Sequence, residues 1–107
     1  HQFVKGKQGV DELFEKIQTN WLAGYADATH NLANSYLQIG NLEEAEQYFL
    51  EALEYNPDLY QSYYSLALVS YKQGNLEQTR KYLERSLSIN PSYAPARQAE
   101  QALQNQD

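Results

Sequence analysis

Between residues 26 and 39 apolar side chains fall at 32, 33, 36 and 37, and no Gly or Pro interrupts the run. That three-and-four spacing lays them along one face of a helix, so the pattern predicts a helix over 26–39. Gly40-Asn41 ends it, because both residues tolerate the left-handed backbone that a helix terminus uses. A second helix starts near Leu42 with Glu43, Glu44 and Glu46 in its first turns, where carboxylates favour the positive end of the macrodipole. Its apolar face is Ala45, Tyr48, Phe49, Ala52 and Leu53. Asn56-Pro57 stops it: the residue before proline is pushed out of the α region, and proline has no N–H for the next helical bond.

The same pattern then returns. Residues 26–59 align with residues 60–93 without a gap, and 10 of the 34 paired positions are identical. The shared landmarks are Leu32 and Leu66, Ala33 and Ala67, Gly40-Asn41-Leu42-Glu43 and Gly74-Asn75-Leu76-Glu77, Tyr48 and Tyr82, Leu53 and Leu87, and the two Asn-Pro pairs. Self-similarity at a fixed period of this length is the signature of a stacked repeat, in which each unit buries its apolar face on its neighbours. The second unit predicts helices over 60–73 and 76–88.

The flanks extend the array. Val10, Phe14 and Ile17 match Ala45, Phe49 and Ala52 at an offset of 35, so a helix over 10–23 reads as the second half of a degenerate earlier repeat, with an unrelated N-terminal helix as the alternative. Ala23 stands where the repeats carry proline. At the other end Pro95 sits in the first turn of a last helix, where its missing N–H is harmless. That helix keeps only Ala96, Ala99, Ala102 and Leu103 to pack, as a capping unit with one wetted face would. The organisation expected is therefore one all-α domain over 1–107 with about six helices: a partial repeat or N-terminal helix at 10–25, repeats at 26–59 and 60–93, and a cap at 94–106, with the C-terminus close to the true one.

These residues resemble the tetratricopeptide repeat family, whose 34-residue unit reads W-x₂-L-G-x₂-Y, then A-x₃-F, then P. Unit one offers Thr29, Leu32, Ala33 and Tyr36, then Ala45 and Phe49, then Pro57; only the Trp and the first Gly differ. Unit two fits more loosely, with Tyr63, Leu66, Ala67 and Ser70, then Thr79 and Leu83, then Pro91. The resemblance implies a helix-turn-helix solenoid whose concave groove, lined by the first helix of each unit, binds a peptide segment or protein partner. Groove positions would be Asp27, His30, Asn34 and Leu37 in unit one and Gln61, Tyr64, Leu68 and Tyr71 in unit two. Of these His30, Asn34, Leu37, Tyr64, Leu68 and Tyr71 are the candidate site. The alternative for Tyr64 and Tyr71 is that they fill the seam between repeats. Family members that grip a C-terminal carboxylate use Lys, Asn and Arg at places held here by His30, Asn34, Ser65, Pro95 and Ala99. Only Asn34 matches, and without the cations the charge-assisted clamp is not expected.

Charge narrows the partners. Eight basic residues against fourteen acidic leave a net charge of −6, which argues against a nucleic-acid binder. Residues 27–71 carry seven acids and no Lys or Arg, so a neutral or basic protein or peptide is the expected partner. With no Cys, and His1 and His30 the only imidazoles, no nucleophile motif, phosphate loop or metal spacing appears, and neither enzyme activity nor a cofactor is expected. No apolar run approaches the roughly 18 residues of a membrane span. Self-association through residues 10–25, with Trp21 and Leu22 uncovered, is the competing reading of function. The chain lacks Met and begins at His1, which reads as a piece of a longer product or a processed form, and its compartment is left open.

Overall fold

A computed structural model describes residues 2–106, with side chains from residue 9 onward. Its five helices run α1 (Gln2–Gln38), α2 (Leu42–Tyr55), α3 (Tyr60–Lys72), α4 (Leu76–Ile89) and α5 (Ala94–Gln106), with no strand among the described residues. α1 packs on α2 and α3 on α4 as two helical hairpins, α2 lies against α3, and α5 lies against α4, so the elements stack in chain order.

Both hairpin turns use one backbone device. The N–H of Gly40 donates to Leu37 C=O and that of Asn41 to Tyr36 C=O, while Gly40 holds φ +84°. Gly74 and Asn75 repeat it on Tyr71 and Ser70, with φ +81° at Gly74. This pair of bonds is the Schellman termination, and the positive φ is why glycine stands there. After the second helices, the Asn56 side chain accepts the Asp58 N–H at 3.1 Å and Asn90 accepts the Ser92 N–H at 3.3 Å, closing the Asn-Pro corners as Asx turns.

The core forms where the hairpins meet. Ala33, Ala45, Phe49, Leu66 and Val69 make one buried cluster, and Ala67, Leu83, Ala96 and Leu103 a second. Ala33 and Ala67, which match each other in the repeat, are 0% and 1% exposed. Ser62, Ser65, Ser70 and Ser86 are also buried, and small side chains let the helices of unit two approach closely. The Ser86 hydroxyl donates to Tyr60 C=O at 2.9 Å, so this polar group is satisfied where it lies.

One expectation is corrected. Helices over 10–23 and 26–39 were expected as separate elements, giving about six; they are one 37-residue helix, and the described helices number five. The physical reason lies in the junction. Leu22-Ala23 occupies the place of Asn-Pro, so nothing there removes a helical hydrogen bond, and Gly24 costs a helix interior only about 1 kcal/mol. Because α1 runs straight on, every described side chain from 9 to 25 is exposed and burial begins at Ala26. The molecule extends 66 × 28 × 18 Å with a radius of gyration of 17.8 Å; a compact chain of this length would have about 13 Å.

Candidate functional site

The first helices of the two units, residues 26–38 of α1 and α3, present the candidate groove positions. In unit one these are tied into a polar relay. Asn34 Nδ2 donates to His30 Nε2 at 3.2 Å, which leaves the ring proton on Nδ1 and makes Ser62 Oγ its acceptor at 2.8 Å. The His30 ring also tilts against Phe49 with centroids 5.3 Å apart. His30 is thus half-buried between α1, α2 and α3. Burial holds its pKa below the usual 6.5, with Asp27 pulling weakly the other way, so the imidazole is neutral near pH 7. Asn34 keeps half-exposed amide capacity beyond the bond to His30, and Leu37 packs at the edge of the first buried cluster.

In unit two the three candidates separate. Tyr64 is half-buried and meets Tyr93 edge-on at 5.7 Å and 90°, and Tyr93 also takes Tyr60 edge-on at 4.8 Å. Tyr64 therefore sits in the seam between α3 and the approach to α5. Tyr71 is 47% exposed and, with Leu68, forms one wall of an apolar cleft of about 170 Å³. α5 supplies the opposite wall through Ala99, Ala102 and Leu103, and Leu83 of α4 lies between them. Gln61, another groove position, has its Oε1 shielded and without a hydrogen-bond partner.

The α5 wall was missed from sequence. The signal was available: the ninth place of the unit, held by Asn34 and Leu68, falls on Ala102 when the register is carried through Ala94. Ala102 was expected to pack, but it is exposed and faces the cleft.

Electrostatically the middle of the molecule is one-sided. α2 bears Glu43, Glu44, Glu46, Glu51 and Glu54, of which Glu43 and Glu54 are exposed. No Lys or Arg stands between Lys16 and Lys72, and the Lys81 ammonium lies 3.7 Å from Glu77 on the exposed face of α4. The guanidinium of Arg85 lies over the Tyr63 ring at 5.7 Å. Among the described residues no three His, Cys, Asp or Glu side chains converge as a metal set, and no helix is long and apolar enough to cross a membrane.

Paired helical hairpins at a 34-residue period, closed by Gly-Asn and Asn-Pro, define a helix-turn-helix repeat solenoid. The tetratricopeptide repeat model matches residues 30–94, and the chain belongs to that family. Its repeats are protein-interaction scaffolds. Among solved structures the chain is similar to the crystal structure of MamA, with a TM-score of 0.66 at 24% identity over 69% of this chain. The match spans 43% of that chain, and at this identity it establishes the fold alone. No curated protein matches the chain.

Proposed function

We propose that this chain is a non-enzymatic module that receives a neutral or basic peptide segment of a partner protein across the first-helix face. His30, Asn34 and Leu37 line one half of that face and Leu68 and Tyr71 the other, with Tyr64 held in the seam beside them. The observation that carries the reading is the apolar cleft between α3 and α5, whose outer wall is the half-exposed ring of Tyr71. Such a cleft takes one apolar side chain of the ligand, and an aromatic rim gives contact area at low entropic cost. Asn34 offers its remaining amide groups to the ligand backbone. The run of seven acids and no bases from 27 to 71 favours a cationic segment, with an affinity that falls as salt screens it.

The test uses peptides selected from a random display library against the whole chain, the consensus peptide then being titrated by calorimetry. Tyr71→Ala and Leu68→Ala should each lose about 1–2 kcal/mol of binding while retaining the helical circular dichroism of the parent. Full affinity in both variants would move the binding surface elsewhere. A second reading, self-association through residues 10–25, is favoured by one observation: Phe14, Ile17, Trp21 and Tyr25 are between 49% and 69% exposed on the first half of α1, where no described side chain from 9 to 25 is buried.

A further inference from the structure

The exposed apolar face of α1 does not stop where the free-standing half ends. It continues into the body through Ala28 to Leu32, which is 44% exposed although its repeat mate Leu66 is 0% exposed. Leu66 is covered because Ala45 and Phe49 of the preceding helix share its cluster. The segment that repeats Ala45 and Phe49 upstream is Val10 and Phe14, and in this chain the straight α1 carries it away from Leu32.

We propose that a second copy of this chain supplies the missing cover, the two α1 helices pairing antiparallel about a two-fold axis at Trp21. The inference rests on the self-association reading and assigns it a partner, an orientation and a register. The stripe itself carries the argument. Its positions are 10, 14, 17, 21, 25, 28 and 32, and their spacing reads the same in both directions from Trp21. An isologous contact requires that when residue i meets residue j, j also meets i. An antiparallel pair centred on Trp21 meets that condition: Val10 lies opposite Leu32, Phe14 opposite Ala28, and Ile17 opposite Tyr25.

The geometry of a straight helix agrees. Positions 10, 21 and 32 are eleven residues apart, and an eleven-residue period keeps close to the turn of an unstrained helix, so the stripe stays within an arc of about 80°. The seam is about 33 Å long. Large faces small at Phe14 and Ala28, and Gly24 leaves open space beside the central Trp21, where an added Cβ would meet nothing within 4 Å. None of the stripe positions is charged. The pairing also puts the partner's Val10 and Phe14 on Leu32, the contact that Ala45 and Phe49 make with Leu66 inside the chain.

The chain has no cysteine, so each introduced thiol is unique. Light scattering on the whole chain from 10 to 200 μM should give a mass rising toward twice 12.4 kDa. Trp21→Glu should raise the dissociation constant at least tenfold with helicity unchanged, since that ring is 69% exposed in the single chain. Under mild oxidation, Val10→Cys mixed with Leu32→Cys should form a mixed dimer. Val10→Cys alone should not cross-link, its two copies lying about 33 Å apart, far beyond disulfide reach. A monomer at every concentration would remove self-association altogether. A dimer that tolerates Trp21→Glu, or one in which Val10→Cys links to itself, would leave self-association standing and remove this seam. An internal disulfide in a monomeric Val10→Cys, Leu32→Cys double variant would show that α1 folds back within one chain, and would also overturn the pairing.

Discussion

Leu32 and Leu66 are the same residue at the same place in two copies of one unit, yet one is 44% exposed and the other fully buried. Helix propensity, spacing and turn chemistry around them are alike. What differs is the preceding helix: α2 lies on α3, whereas no preceding helix lies on α1, and on that face Tyr55 reaches only Tyr25. In a one-dimensional array burial belongs to the interface between units rather than to the unit, so identical sequence need not carry identical energy.

The largest expected effect sharpens that comparison. Leu66→Ala should cost about 2–5 kcal/mol, the range for deleting a buried leucine from a packed cluster. Leu32→Ala in dilute solution should cost less than about 1 kcal/mol, as an exposed site away from the core does. Urea denaturation of both variants at low micromolar concentration checks this. Equal losses would mean that Leu32 is already covered within the single chain. The same logic applies to residues 1–24, which a count of repeats alone would make a stabilising third unit. With all described side chains from 9 to 24 exposed, their removal should leave the dilute melting temperature nearly unchanged.

The turns should break the comparison, because they act within a unit. Gly40→Ala and Gly74→Ala both force a Cβ into positive φ, with open space around each. The penalty is then backbone strain of roughly 1–2 kcal/mol, and it should be equal in the two units. A clear inequality in their denaturation midpoints would show that the neighbouring helix reaches into the turn as well.

This division between local and interfacial terms also decides what could be read from sequence. The ends of α2, α3 and α4 were legible to within a residue or so, since Gly-Asn and Asn-Pro act on the backbone of their own segment. The absence of a break at Gly24 was harder to see: periodicity implied a repeat boundary there, but the chemistry that makes such a boundary, Asn-Pro, is missing. Tyr64 and Tyr71 share one helical stripe and could not be told apart by spacing. The seam contact of Tyr64 depends on Tyr93, 29 residues on at the far end of the same unit, and the cleft of Tyr71 depends on α5, in the next.

The smallest expected effect concerns His30, which links the units through Ser62. Burial lowers its pKa in the folded chain below the ordinary 6.5, so the unfolded chain binds the proton more readily. Stability from the neutral ring is then fully present above about 6.5 and is lost as pH falls through the lower, folded value. Protonation would put a proton on Nε2, which now accepts from Asn34, and would charge a group packed against Phe49. Asp27 partly compensates by favouring the charged form. His30→Gln keeps hydrogen-bonding groups but cannot titrate, so its denaturation midpoint should fall less than that of the parent between pH 7.5 and pH 5. Parallel pH profiles would mean that His30 titrates as freely in the folded chain as in the unfolded one, and that the contact between first helices is no barrier to acid.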